Sequence, residues 1–300
     1  MHEQLFDSIK SGDAKSLARA ISLIENEQTG YEDLLRALSH DSFGRIIGVT
    51  GPPGAGKSTI VDGMIEELIK KEKRVAVLCV DPSSPFNLGA ILGDRIRMSD
   101  WFTHSNVFIR SLATRGSVGG LCPKIIEITD LMQSAGFDKI IIETVGVGQS
   151  EIEIAGLADV TAVVVVPESG DEVQTMKAGL MEVADVFVIN KSDRPDAELF
   201  EKNLRLMLAP AFHNRAKEVP IVKTVATEKK GIHELMTAIE NNFREGRSKE
   251  KHVELLTEKA WQLLIQKKMK AVNKAQLRGQ IQAGVGNADF NLYSFIQNYQ

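Results

Sequence analysis

The sequence predicts an α/β fold, a mostly parallel sheet flanked by helices, with a helical N-terminal extension and a C-terminal helical arm. Three observations carry this expectation. Short β-branched runs alternate with helix-patterned segments from Arg45 onward, and a glycine-rich motif joins the first run to the first helix that follows it. Hydrophobic residues make up 43% of the chain and charged residues 25%, the balance of an ordinary globular protein with a buried core. A chain of 300 residues is long enough for one large α/β domain with appendages.

The elements follow in chain order. Leu5, Ile9, Leu17, Ala20, Ile21 and Ile24 recur at threes and fours, with a Ser11-Gly12-Asp13 break, so residues 1–42 read as a helical extension. The runs Ile46 to Thr50, Val75 to Val80, Val107 to Arg110, Lys139 to Ile142, Val160 to Val166, Val186 to Ile189 and Ile221 to Thr224 read as strands of a sheet buried on both faces, inside a domain at residues 43–245. In open sheets of this kind ligands bind beyond the carboxyl ends of the strands. Past Gly231 a helix is expected to about Phe243, then a polar linker from Arg244 to Glu250. A long helix is expected from about Lys249 to Leu277, striped with Val253, Leu256, Trp261, Leu264, Ile265 and Met269. Gly284, Gly286 and Asn287 interrupt the chain before an apolar tail of Phe290, Leu292, Tyr293, Phe295 and Ile296, which needs a surface to cover it. Residues 246–300 form the expected C-terminal arm.

Bulk properties exclude several function classes. A net charge of −4 gives no basic footprint for releasing nucleic-acid counterions, so no nucleic-acid partner is expected. The two cysteines, Cys79 and Cys122, form no disulfide framework and no C-x-x-C pair, which fits a reducing, cytoplasmic setting. The start of the chain lacks the basic and apolar regions of a secretory signal, and the run Val160 to Val166 is far below the roughly 18 residues of a membrane span. No membrane partner is expected.

Gly51-Pro52-Pro53-Gly54-Ala55-Gly56-Lys57-Ser58-Thr59 matches G-x-x-x-x-G-K-[ST] directly after one predicted strand and directly before a predicted helix. This is the context of a P-loop NTPase. The glycines let successive N–H groups converge on phosphate oxygens at the positive end of a helix. Lys57 is expected at the β/γ-phosphates, Ser58 on Mg²⁺ and Thr59 at the α-phosphate.

Asn190-Lys191-Ser192-Asp193 leaves the carboxyl end of another predicted strand. The Asp193 carboxylate can accept from guanine N1–H and its exocyclic amine, an arrangement that adenine does not offer, so the nucleotide is expected to be GTP or GDP. Asn190 either fixes the loop or contacts the base edge, and the Lys191 stem can lie along the ring face. Val225, Ala226 and Thr227, after the last strand, offer backbone N–H groups to guanine O6.

Glu143-Thr-Val-Gly146 ends the strand Lys139 to Ile142. Glu143 is expected to hold Mg²⁺ through a water, and the Gly146 N–H to bond the γ-phosphate; a strand-terminal Glu that is merely solvated is the alternative. Asp81 is a candidate for orienting the attacking water and Asp94 for Mg²⁺ contact, and either can instead be a turn residue. The catalytic set is Lys57, Asp81 and Glu143, and the metal set Ser58, Asp94 and Glu143.

These residues carry a resemblance over nearly the whole chain. With Ala18-Arg-Ala-Ile-Ser-Leu-Ile-Glu25, Asp81-Pro-Ser-Ser-Pro-Phe86, Gly89-Ala-Ile-Leu-Gly-Asp-Arg-Ile-Arg-Met98, Thr114-Arg-Gly-Ser-Val-Gly-Gly120 and Glu143-Thr-Val-Gly-Val-Gly-Gln-Ser-Glu151, the sequence resembles the MeaB/ArgK family of G proteins. In that family Glu stands where other G proteins have Asp at position 143. The resemblance implies a GTPase that acts as chaperone or gatekeeper of an adenosylcobalamin-dependent acyl-CoA mutase, most often methylmalonyl-CoA mutase, with adenosylcobalamin only on the partner enzyme. It assigns Asp81 and Asp94 to a first switch and Glu143 to Gln149 to a second. A third switch lies at Gly170 to Lys177, where Asp171, Gln174 and Lys177 couple the nucleotide to the mutase. The family more often has a second Asp where this chain has Glu172, and a small-residue pattern where it has Phe86-Asn-Leu-Gly89. It also implies a homodimer formed through the C-terminal arm.

Two other functions share parts of this pattern. A transport-associated ATPase or kinase would need a purine site without the guanine preference expected of Asp193. A nickel metallochaperone GTPase would need clustered ligands, whereas the 6 histidines are scattered. Hydrolysis is expected by in-line attack of water on the γ-phosphate, slowly in the absence of a partner.

Overall fold

The computed structural model describes residues 2–10, 12–38, 45–81, 98–114, 121–144, 153–167, 183–212, 218–244, 249–269, 272–286, 290–297 and 299. Seven β-branched segments form one sheet: β1 Arg45–Thr50, β2 Val75–Asp81, β3 Val107–Ala113, β4 Lys139–Glu143, β5 Val160–Val165, β6 Val186–Asn190 and β7 Ile221–Thr224. Their order is β3-β2-β4-β1-β5-β6-β7, and every pair is parallel. Parallel strands need crossovers, which places helices over both faces and explains why the strands read as continuous apolar runs.

Three short helices precede the sheet: α1 His2–Lys10, α2 Ala14–Glu25 and α3 Tyr31–Arg36. The break before α2 has a local cause. Gly12 takes φ 90, and the Asp13 carboxylate accepts from the Ser16 N–H at 2.9 Å, capping the new helix. Around the sheet lie α4 Lys57–Ile69, α5 Ile125–Ser134, α6 Ala197–Phe212 and α7 Ile232–Arg244.

The core has two sides. Ile60, Met64 and Ile65 of α4, with Ile232, Leu235 and Ile239 of α7, pack on Ile47, Val49, Val77, Ile141, Ala162 and Val164. On the opposite face of the sheet, Phe200, Leu204 and Leu208 of α6 pack on Val163, Val165, Phe187 and Ile189. Alternate residues of β5 therefore serve different layers, as the two-residue period of a strand requires.

At the amino-terminal edge of the sheet three aspartates satisfy backbone donors that the ladder leaves over. Asp138 Oδ2 accepts from Arg74 N at 2.9 Å, Asp159 Oδ2 from Ile46 N at 2.6 Å and Asp185 Oδ2 from Thr161 N at 2.9 Å. Burial would raise the Asp138 pKa, but the Arg74 N–H and the Lys73 ammonium outweigh it and hold the carboxyl below its ordinary range. At the same edge the Lys139 ammonium lies 4.2 Å from the centroid of the Phe243 ring and pairs with Glu240 at 2.7 Å, fixing the last turn of α7. The carboxyl edge is thereby left for chemistry, with Thr50, Asp81, Glu143, Asn190 and Thr224 ending their strands.

The chain divides into two compact units, Met1–Lys249 and Glu250–Gln300. The expected helix from Lys249 to Leu277 is in fact two helices. α8 Lys249–Met269 stops, and α9 Lys274–Val285 starts on Asn273, whose side chain accepts from Ala275 N at 2.9 Å and Gln276 N at 3.2 Å. The tail forms a short helix, α10 Leu292–Gln297, and Trp261, Leu264, Met269, Val285 and Tyr293 are exposed in this chain. Among the described residues no helix is long and apolar enough to cross a membrane.

Candidate functional site

The loop after β1 depends on glycine at two places. Gly51 takes φ 138 and Gly56 φ 89; a Cβ on the first would collide with the Val164 carbonyl and on the second with the Asn190 amide. The loop therefore curls tightly between β5 and β6 and delivers the chain into α4, whose first turn has no side-chain cap at Gly56. The positive end of the helix dipole thus points into the loop, a setting that favours an anion. Lys57 is buried, and its ammonium donates across the loop to Gly51 O at 2.9 Å and Pro52 O at 3.1 Å.

Two carboxylates face the same helix. Glu143 stands in register with Val49 on one side and Cys79 on the other, so it shares their face of the sheet, the face covered by α4. Asp81 lies two residues beyond Cys79 and therefore on that face too. Both carboxylates are buried. Ser58 Oγ donates to Glu143 Oε1 at 2.6 Å, joining the first turn of α4 to the end of β4.

This donor set is hydroxyl and carboxylate oxygen, which suits a hard cation. Among the described residues no group of three or more His, Cys, Asp or Glu side chains is placed to hold a metal alone. A site that supplies few ligands and leaves the rest to phosphate and water oxygens fits Mg²⁺, which dehydrates reluctantly. Cys79 is a member of the apolar core, and Cys122 is also buried.

The loop after β6 is organised by one side chain. Asn190 Nδ2 donates to Ala55 O at 2.8 Å, while its Oδ1 accepts from Thr224 Oγ1 at 3.0 Å and from Ala226 N at 3.1 Å. Of the two roles open to Asn190 on sequence, this arrangement is the loop-fixing one. Ser192 N and Oγ both donate to Thr224 O at 3.1 Å, Lys191 takes φ 56, and the Asp193 side chain is exposed at the end of this turn. The Val225 N–H is engaged by Lys230 O at 3.1 Å and that of Ala226 by Asn190. Thr227 lies in the short 3₁₀ turn Ala226–Glu228.

Asn190→Ala should orphan the buried Ala55 carbonyl, Thr224 hydroxyl and Ala226 N–H together. The expected loss is about 2 to 3 kcal/mol of unfolding free energy, read from denaturant melts of nucleotide-free protein. An unchanged melt would show that the bridge adds no stability.

Sequence reasoning missed Thr224 and the Ala55 carbonyl as parts of this bridge, and also a second tie onto α4. Trp101 Nε1 donates to Asp62 Oδ1 at 2.7 Å, next to the fully buried Met98. A tryptophan in a polar stretch was the available signal. Asp94, Gly146, Asp171, Gln174 and Lys177 lie outside the described residues, as do Glu172 and Phe86 to Gly89.

A family model described as methylmalonyl Co-A mutase-associated GTPase MeaB matches residues 17–278. A Pyrococcus abyssi protein with a provisional GTPase name is 42% identical over 300 residues, covering 97% of this chain and 89% of the relative. Escherichia coli (strain K12) GTPase ArgK is 39% identical over 241 residues, covering 77% of this chain and 72% of the relative. Among solved structures, that of a protein named LAO/AO transport system kinase has a TM-score of 0.68 at 28% identity, covering 99% of this chain and 95% of that one.

Proposed function

The chain belongs to the MeaB family of mutase-associated GTPases, and from that premise we propose that its GTP cycle serves an adenosylcobalamin-dependent acyl-CoA mutase, as chaperone and gatekeeper of that enzyme. The single observation that carries the mutase link is the family match across residues 17–278. Methylmalonyl-CoA mutase is the first partner to test.

In this reading the loop from Gly51 to Thr59 cradles the phosphates through the backbone N–H groups of its non-proline residues, the Lys57 ammonium exchanges the Gly51 and Pro52 carbonyls for β/γ-phosphate oxygens, and Thr59 meets the α-phosphate. Ser58, Glu143 and Asp94 would hold Mg²⁺, which supplies neutralisation of the charge that develops on the phosphoryl oxygens. Asp81 orients the attacking water, and Lys57 with the loop amides stabilises the transition state. The Gly146 N–H senses the γ-phosphate.

Asp193 reads guanine through N1–H and the exocyclic amine, with the Lys191 stem along the ring. Asn190 holds this loop against the phosphate loop. Val225, Ala226 and Thr227 border the base, and because the first two amides are engaged internally, their part is to position that edge.

Residues 1–42, 43–245 and 246–300 act as extension, G domain and arm. The exposed apolar side chains Trp261, Leu264 and Met269 support a homodimer formed through the arm. Asp171, Gln174 and Lys177 carry the nucleotide state to the mutase, and adenosylcobalamin stays on that partner. The purine-reading Asp193 argues against a transport-associated ATPase or kinase. The paucity of metal-ligand clusters among the described residues argues against a nickel metallochaperone.

Co-purification tests the partner. A tagged chain mixed with cobalamin-dependent acyl-CoA mutases should retain one of them with at least a roughly fivefold difference between GDP and a non-hydrolysable GTP analogue, the low end of ordinary coupling energies. Retention that ignores the nucleotide, or no retention of any mutase, would refute the gatekeeper role while leaving the GTPase intact.

A further inference from the structure

We propose that Thr144 is a positioning residue for GTP hydrolysis, acting with Thr50 as a buried hydroxyl pair that fixes the spacing of β1 and β4 where Glu143 meets Ser58. The proposal rests on the reading of Ser58 and Glu143 as the Mg²⁺ groups.

The parallel ladder of β1 and β4 ends at the pair Val49 and Glu143, with one more bond from Thr144 N to Val49 O at 3.1 Å. Two residues past Val49, Gly51 turns β1 away into the phosphate loop at φ 138. Here the strands lose their backbone bonds, and here Thr50 Oγ1 and Thr144 Oγ1 lie 2.9 Å apart. Thr50 is 0% and Thr144 2% exposed. By strand alternation the two hydroxyls project to the sheet face opposite Glu143, so neither lies on the α4 side with the carboxylates.

Packing alone does not account for hydroxyls at these positions. Valine has the same shape, and the β5 neighbour of Thr50 is Val163, an apolar core residue. Burying a hydroxyl is unfavourable unless it is paired, and a pair of this kind constrains its oxygens to a few tenths of an ångström, which methyl contacts do not. The bond thus acts as an extra rung past the end of the ladder. Through it the start of the loop at Gly51 and the end of β4 at Glu143 are held in one relative position. Displacements of about 1 Å are enough to cost on the order of 10²-fold in rate at a reacting centre.

The test uses the full-length chain with steady-state GTP hydrolysis and Mg²⁺ titrations. Thr144→Val should lower kcat about tenfold and raise the half-saturating Mg²⁺ concentration severalfold, with KM for GTP within about twofold. Thr144→Ser, which keeps the hydroxyl, should restore kcat to within about twofold of the parent. Adding Thr50→Val to Thr144→Val should change kcat by less than about twofold, because the shared bond is already gone. Thr50→Val alone breaks the same bond from its other side and carries the test if Thr144→Val does not fold.

A folded Thr144→Val or Thr50→Val protein with parental kcat and Mg²⁺ dependence, altered only in melting temperature, overturns the proposal. Ser58→Ala run in parallel separates the two levels. Parental Mg²⁺ dependence in Ser58→Ala defeats the reading of the metal site itself; its loss there, with Thr144→Val unaffected, defeats the positioning role alone.

Discussion

Lys57→Ala should hydrolyse GTP about 10² to 10³-fold more slowly than the parent in single-turnover measurements, the loss typical of removing one preorganised charge-stabilising donor. The ammonium is already inside the loop, 2.9 and 3.1 Å from the Gly51 and Pro52 carbonyls, so little reorganisation separates this state from one in which it meets phosphate oxygens. Alanine removes the charge without touching the glycine conformations that shape the loop. The melting temperature without nucleotide should therefore move by only a few degrees, as for an ordinary loss of two hydrogen bonds. A parental rate in the folded variant would remove Lys57 from the catalytic set.

Asp193→Asn should weaken GDP binding about 10³-fold, since two charge-assisted hydrogen bonds to the base are at stake. An amide in place of the carboxylate presents an N–H to the guanine exocyclic amine, so donor faces donor. Xanthine carries an oxygen at that ring position, and the variant should bind xanthosine diphosphate better than GDP. Calorimetric titration with GDP, ADP and xanthosine diphosphate reads this directly. If ADP binds the parent as tightly as GDP does, guanine recognition by Asp193 is refuted.

In the proposed reading the two substitutions act at opposite ends of the nucleotide, and Asn190 bridges the loops that carry them. Its bonds to Ala55 and Ala226 make the phosphate loop and the base loop one structure. Substitutions at the two ends are therefore expected to couple, which a double-mutant cycle would register.

The strands were legible because a sheet buried on both faces demands β-branched residues nearly everywhere, and each predicted run became a strand. Their ends were less so. β3 continues from Arg110 to Ala113 because Ser111, Leu112 and Ala113 find partners in Cys79, Val80 and Asp81, a pairing decided by the neighbouring strand and not by local propensity. The C-terminal helix was over-extended for the converse reason. Its apolar spacing runs on without interruption, and the chain is broken at Asn273, whose side chain bonds the next turn of backbone.

In the site, the phosphate loop was readable because its glycines and lysine are adjacent in sequence. The inward role of Asn190 was not, since its partners Thr224 and Ala226 lie 34 and 36 residues further on. The Thr50 and Thr144 pair is hidden for the same reason, at a separation of 94 residues.

The bond between the Trp101 indole and Asp62 has an optical consequence. The chain holds 2 tryptophans, and they fall in different compact units. Trp101 is half-buried, fixed to a carboxylate of α4 and edge-on to the His104 ring, whereas Trp261 is 60% exposed. A shielded indole emits toward shorter wavelengths than a hydrated one, so a single unlabelled emission spectrum contains a blue component from the first unit and a red component from the second.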